Sequence, residues 1–197
     1  GRTPWVTCKL ETTDEIPVQG KIYGTPLALR HVLSQKLKDL KDANLIRESN
    51  SDWTSSLLLV KKGDGKDHRV TIDYRELNKK LKRNAYPMRK IFDIIPTLQG
   101  KRYFTKLDAL SGFFQIELEE DSKHKTAFVC EEGVFEWNCL PQGLSCSPGV
   151  FQKVTDRIVR KLKNSTAYLD DLLCASKDEE EHVKDVSMLL IASQLRD

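Results

Sequence analysis

The chain has 197 residues, 39% apolar and 31% charged, which is enough to bury the core of one large domain or two small ones and is not the composition of a disordered chain. Its longest apolar runs, such as Leu57-Leu58-Leu59-Val60, are far too short to span a bilayer, and the opening Gly-Arg-Thr-Pro has no charged-then-apolar leader pattern, so neither membrane insertion nor secretion is expected. The net charge of +3 is unevenly spread, with +10 on residues 1–107 and −7 on residues 108–197; ordinary solvated faces give such splits, and so does a protein that holds a polyanion with one part and cations with another.

Residues 1–24 are polar and turn-rich and read as a loosely packed arm. Thr25-Pro26 reads as an N-cap with proline at the first helical position, and Leu29, Val32, Leu33, Leu37 and Leu40 at three-to-four spacing predict an amphipathic helix over 26–44. Ser55 to Lys62 and His68 to Asp73 flank Gly63-Asp64-Gly65 and predict a hairpin carrying Lys61, Lys62, Lys66 and Arg69. A basic stretch follows, with Lys79, Lys80, Lys82 and Arg83, then a short apolar pattern over 88–99 read as a helix despite Pro96. Tyr103 to Leu107 is β-prone and runs into Asp108. Segments 125–130 and 134–139 form another predicted hairpin about Glu131-Glu132-Gly133. Ser147-Pro148 opens a helix with Phe151, Val154, Ile158 and Leu162 on its apolar side.

Residues 166–175 predict an apolar hairpin with Asp170 and Asp171 at its tip. Ser176-x-x-Glu179 has the capping-box form and starts a last helix, with Val183, Val186, Leu189 and Leu190 facing inward. This element order predicts an α+β fold with a mostly antiparallel sheet packed on helices. The five cysteines are scattered, odd in number and free of any Cys-x-x-Cys pair, which predicts reduced thiols and neither disulfides nor a zinc site.

Chemistry concentrates in Tyr168-Leu169-Asp170-Asp171. Adjacent carboxylates in an apolar hairpin are costly unless a divalent cation neutralises them. A plain turn is the alternative, but such turns favour Asn-Gly or Asp-Gly, and no glycine lies nearby. A strand ending at Asp108 beside that hairpin would complete a carboxylate cluster for Mg²⁺, which needs only one or two carboxylates besides water and substrate phosphates. Two such ions suit in-line phosphoryl transfer.

In these segments the sequence resembles the reverse transcriptases of retroviruses and gypsy-type LTR retrotransposons. The matching stretches run in family order: Ser55–Lys62, His68–Asn78, Tyr86-Pro87-Met88, Tyr103–Ile116, Lys125–Phe128, Leu140–Leu144, Phe151-Gln152 and Tyr168–Asp171. The resemblance implies a right-hand polymerase fold, with fingers at 1–84 and 113–142 and palm at 85–112 and 143–197. It implies metal ligands Asp108, Asp170 and Asp171 (the catalytic triad) with the Ala109 carbonyl, and Mg²⁺ as cofactor with Mn²⁺ as substitute. Lys61 or Lys62 with Arg69 would hold the incoming triphosphate, Gln142 would contact the nucleotide or its template base, and Phe113 would exclude a 2′-hydroxyl. Tyr168, Leu169, Arg75 and Asn78 would lie on the template-primer. Phe113 and Gln142 follow the retroviral pattern where gypsy-type elements have tyrosine and phenylalanine.

The implied activity is RNA-directed DNA synthesis from dNTPs on an RNA or DNA template with a DNA primer strand. Implied partners are the other polyprotein domains (thumb, connection and RNase H), with a dimer allowed and a cytoplasmic setting in virus-like particles. Two other classes fit some residues. A non-catalytic nucleic-acid-binding remnant predicts salt-dependent RNA binding without synthesis, and a two-metal nuclease leaves Phe113 and Gln142 without a role.

Overall fold

A computed structural model describes all of residues 1–197 except Lys62, Asp64, Lys66, Arg83, Asn84, Arg89, Leu110, Leu195, Arg196 and Asp197, and the side chain of Gln194. The elements in chain order are β1 (Thr7–Cys8), α1 (Arg30–Asp42), β2 (Ile46–Glu48), β3 (Ser55–Lys61), β4 (His68–Asp73), α2 (Arg75–Lys80), α3 (Ile91–Ile94) and β5 (Tyr103–Asp108). After these come β6 (Glu117–Leu118), α4 (Glu120–Lys123), β7 (Phe128–Cys130), β8 (Gly133–Trp137), α5 (Ser147–Val159), β9 (Ser165–Tyr168), β10 (Asp171–Ser176) and α6 (Glu179–Gln194). The fold is α+β, as the element order predicts. No helix among the described residues is long and apolar enough to cross a membrane.

Two sheets dominate. The larger has the order β2-β8-β7-β3-β4 and is antiparallel except where β3 runs parallel to β7; the smaller, β5-β10-β9, is wholly antiparallel. Each has its own apolar cluster. The first gathers Leu33, Leu37, Leu57, Ile72, Tyr74, Phe128 and Trp137. The second gathers Val159, Ala167, Leu172, Cys174 and Leu189 under the small sheet. Helix α5 touches both, giving Phe151 and Val154 to the first and Ile158 and Val159 to the second.

Several expectations need correction. Residues 1–24 are not a loose arm: β1 pairs in parallel with β6, and Cys8 and Leu10 belong to the main core. Gly20 lies so close to the Ser55–Ser56 backbone that a Cβ there would sit 2.5 Å from the Ser55 carbonyl carbon. Cys8, Leu10 and Thr12 are buried at alternate positions, but one of the three is polar and the run is short, so the alternation is weak as an apolar pattern. The predicted helix at 26–44 starts with a 3₁₀ turn, Leu27–Leu29, and becomes α-helical at Arg30. The segment at 88–99 is α-helical only over α3; Pro96, without an N–H, falls in a 3₁₀ turn, and neither piece buries a residue. His124–Thr126 is also a 3₁₀ turn, so the hairpin about Glu131-Glu132 is shorter than predicted.

The cap of α6 is shifted two residues from the predicted box. Asp178 Oδ1 accepts the Glu181 N–H at 2.9 Å, while Ser176 Oγ turns inward and donates to Asp185 Oδ2 at 2.7 Å. On that helix Leu189 is fully buried and Val186 partly so, but Val183 is 61% exposed and Leu190 42%. Finally, Asp171 is the first residue of β10, so the hairpin tip is Leu169-Asp170 alone.

Candidate active site

Strand β5 forms because Tyr103, Phe104 and Thr105 favour an extended chain, and its alternation separates two faces. Leu107 packs on the apolar cluster beneath the small sheet, while Phe104, Lys106 and Asp108 are exposed on the other side. Across the ladder Asp108 is the register partner of Asp171. The Ala109 N–H donates to the Asp170 carbonyl at 2.9 Å, which makes the Asp108–Asp171 pair non-hydrogen-bonded, the class whose facing Cα atoms approach to about 4.5 Å. Like charges placed this way repel. Lys106 Nζ lies 2.9 Å from Asp171 Oδ1, and that contact, followed by the fields of Asp171, Asp108 and Asp170, raises the pKa of Lys106.

Asp170 is carried by the two-residue turn between β9 and β10. Leu169 there has φ of 53°, a left-handed conformation that costs a branched residue about 1–2 kcal/mol. Gln152 of α5 holds the turn in place. It is fully buried; its Oε1 accepts the Leu169 N–H at 2.8 Å, and its Nε2 donates to Ala167 O at 3.2 Å and Asp156 Oδ1 at 3.0 Å. In the sequence Gln152 stands out only as part of the Phe151-Gln152 motif. The available signal was an amide beside Phe151 on the apolar side of a helix, four residues before Asp156.

A second polar network braces the small sheet from behind. Thr105 Oγ1 lies 2.8 Å from His182 Nε2, and His182 Nδ1 lies 3.1 Å from Ser176 Oγ. Because Ser176 donates to Asp185, its oxygen is free to accept from Nδ1–H, which leaves Nε2 to accept from Thr105. Asn164 Nδ2 donates to the same Asp185 oxygen at 2.7 Å, and Lys101 Nζ donates to Asn164 Oδ1 at 2.6 Å. The network therefore links β5, β10 and α6 and the segments leading into β5 and β9.

The residues expected around a nucleotide are partly brought together. Arg69 and Gln142 line one open pocket of about 240 Å³ with His68, Phe114, Trp137 and Lys36. Phe114 stacks on Trp137, whereas Phe113 packs on Phe151 with ring centroids 5.0 Å apart. Gly112 permits this approach, because a Cβ there would overlap the Phe151 ring. Lys61 pairs with His68 and Arg69 with Val60, so alternation sends Lys61 and Arg69 to opposite faces of the β3–β4 hairpin. Lys62 lies outside the described residues.

The expected template-primer set is scattered. Tyr168 is a register partner of Asp171, beside Leu169. Arg75 is a bidentate partner of Asp73, at 2.9 and 2.7 Å. Asn78 spends its amide on a loop, donating to Gly143 O and accepting the Ser145 N–H, each at 2.8 Å. Thus Asn78 braces the segment that carries Gln142. Lysines of the basic stretch are paired as well, Lys79 with Glu76, Lys80 with Asp14 and Lys82 with Glu11.

Among the described residues no three His, Cys, Asp or Glu side chains form a ready-made metal cage. The donor set still suits Mg²⁺, which takes one or two carboxylates and completes its shell with water and phosphate oxygens. Two carboxylates held face to face, with an ammonium already drawn to one of them, make a place where positive charge is favoured.

Comparison with known proteins identifies the family. Residues 60–194 match the family model described as reverse transcriptase (RNA-dependent DNA polymerase). The Transposon Tf2-3 polyprotein of Schizosaccharomyces pombe is 34% identical over 187 residues, covering 92% of this chain and 14% of the polyprotein. The retrovirus-related Pol polyprotein from transposon 297 of Drosophila melanogaster is 36% identical over 188 residues, covering 91% of this chain and 18% of the relative. Among solved structures, native prototype foamy virus protease-reverse transcriptase superposes with a TM-score of 0.89 at 26% identity, covering 98% of this chain and 26% of that one. The chain spans less than a fifth of either polyprotein. With the family model matched over more than half of its length, this chain belongs to the reverse transcriptase family.

Proposed function

We propose that this chain is the fingers-and-palm part of an RNA-directed DNA polymerase, which adds dNTPs to the 3′-hydroxyl of a DNA primer paired to an RNA or DNA template. The observation that carries this reading is the Asp108–Asp171 pair facing across β5 and β10 with Asp170 on the adjoining turn. Asp108, Asp170 and Asp171, with the Ala109 carbonyl, would hold Mg²⁺, or Mn²⁺ in its place. When bound, two such ions supply activation of the attacking hydroxyl and charge neutralisation on the leaving pyrophosphate.

The chain's own residues do the rest. Arg69 neutralises charge that grows on the triphosphate as the primer hydroxyl attacks the α-phosphate, with Lys62 as the further cation, because the register turns Lys61 to the opposite face of the hairpin. Gln142, on the loop braced by Asn78, orients the nucleotide. Phe113, seated on Phe151, closes the space a 2′-hydroxyl would need. Tyr168 and Leu169 lie beside the primer end, and Arg75 faces the template. Fingers at 1–84 and 113–142 contain most of the five-stranded sheet's apolar cluster, and palm at 85–112 and 143–197 contains the three-stranded sheet. Thumb, connection and RNase H segments of a polyprotein would be its partners, in the cytoplasm within virus-like particles.

The test is primer extension on an RNA template with dNTPs and Mg²⁺, run beside Asp170→Asn. Synthesis lost in the variant supports the assignment. Extension that persists in Asp170→Asn, or template-primer binding without any synthesis even when the downstream region is supplied, overturns it.

A further inference from the structure

One more ionisable side chain stands on the acidic face of β5. Lys106 precedes Asp108 by two residues, so strand alternation sends both the same way. Its register partner is Leu173, yet its Nζ reaches diagonally across the ladder to Asp171 Oδ1 at 2.9 Å. Among the described residues it is the cation paired with this cluster. Neither side chain is enclosed: Lys106 is 62% exposed and Asp171 41%. The ammonium can therefore swing away while the strands stay in place.

We propose that Lys106 is a built-in counter-ion of the acidic site, which holds Asp108 and Asp171 side by side before a divalent cation binds and must leave Asp171 when one does. This rests on the reading of Asp108, Asp170 and Asp171 as cation ligands. A tethered single charge relieves the repulsion across the ladder in the empty protein. The same charge competes with an incoming ion for the Asp171 oxygen, so Lys106 sets the cation concentration at which the site fills. Its removal has effects of opposite sign, a weaker empty protein and a tighter cation site, whereas simple loss of packing weakens both.

The test measures Mn²⁺ binding to the 197-residue chain from the electron paramagnetic resonance signal of the free aqua ion, together with urea midpoints in EDTA. The proteins compared are wild type, Lys106→Met, Lys106→Arg and Asp108→Asn. Lys106→Met is expected to bind Mn²⁺ about three- to tenfold more tightly, the screened effect of one charge several ångströms from a divalent ion, and to unfold at lower urea. Lys106→Arg is expected to bind like wild type. Equal or weaker Mn²⁺ binding by Lys106→Met overturns the counter-ion role and leaves the ligand assignment standing. Wild-type binding no tighter than that of Asp108→Asn overturns the ligand assignment, and the counter-ion role falls with it.

Discussion

Gln152 Oε1 accepts the backbone N–H of Leu169 at 2.8 Å, so the strained turn that presents Asp170 is held by an amide from the interior of α5. Gln152→Ala leaves that N–H and the Ala167 carbonyl without their partner inside the protein, and is expected to cost about 1–3 kcal/mol in urea unfolding. It also frees the turn, so kcat for primer extension is expected to fall about 10- to 100-fold with a smaller change in dNTP KM. A variant as stable and as active as wild type would remove Gln152 from the site.

Phe113 is fixed by its contact with Phe151. If its ring excludes the 2′-hydroxyl, Phe113→Val is expected to raise ribonucleotide use relative to deoxynucleotide use by about 10- to 200-fold in the ratio of kcat/KM values. An unchanged ratio would send attention to Phe114 and the pocket it shares with Arg69 and Gln142.

Gly112 is the point of closest approach beneath that ring. The added methyl of Gly112→Ala would overlap Phe151 and press on Ala109 Cβ at 3.2 Å. The expected loss is about 1–3 kcal/mol, read as a lower Tm. Trimming the obstruction in the double variant Gly112→Ala, Phe151→Leu should recover part of it.

Acid sensitivity has an identifiable contributor in Glu120. Hydrogen bonds from Lys123 first and Arg47 second lower its pKa from 4.5 to about 2. A carboxyl whose pKa is depressed on folding contributes stability that is present above pH 4.5 and lost as pH falls toward 2. Glu120→Gln is expected to flatten the dependence of the urea midpoint on pH in that window and to lower the midpoint at neutral pH by the same small amount, since exposed pairs contribute little. A slope identical to wild type would exclude this pair.

Much of the acidic site was legible from residues alone. A β-prone run ending at Asp108 and an apolar hairpin around Asp170 and Asp171 marked both carboxylate segments, because the strands carry strong local signals and the carboxylates contradict them; that the two meet was implied by the family resemblance, and the register pairs Asp108 with Asp171. What escaped depends on contacts distant in sequence. The N-terminal segment joins the core through single residues such as Cys8 and Leu10, matched to neighbours more than a hundred positions away. Ser176 looks like a cap until Asp185 is seen to claim its hydroxyl. Asn78, which the resemblance places on the template-primer, bonds to Gly143 and Ser145 and so braces the loop that carries Gln142. Lys61 and Arg69 look like companions in sequence, and only the register shows that they point apart.

Phe151 and Gln152 are consecutive residues of α5, one seated under Phe113 and the other bonded to the turn that carries Asp170. In a machinist's terms, two working surfaces are cut from one datum. A small tilt or slide of the helix shifts both by nearly the same amount, so the spacing between the aromatic floor and the acidic turn varies less than the position of either. Substitutions that move α5 as a rigid rod should therefore be tolerated better than those that bend it between these two residues.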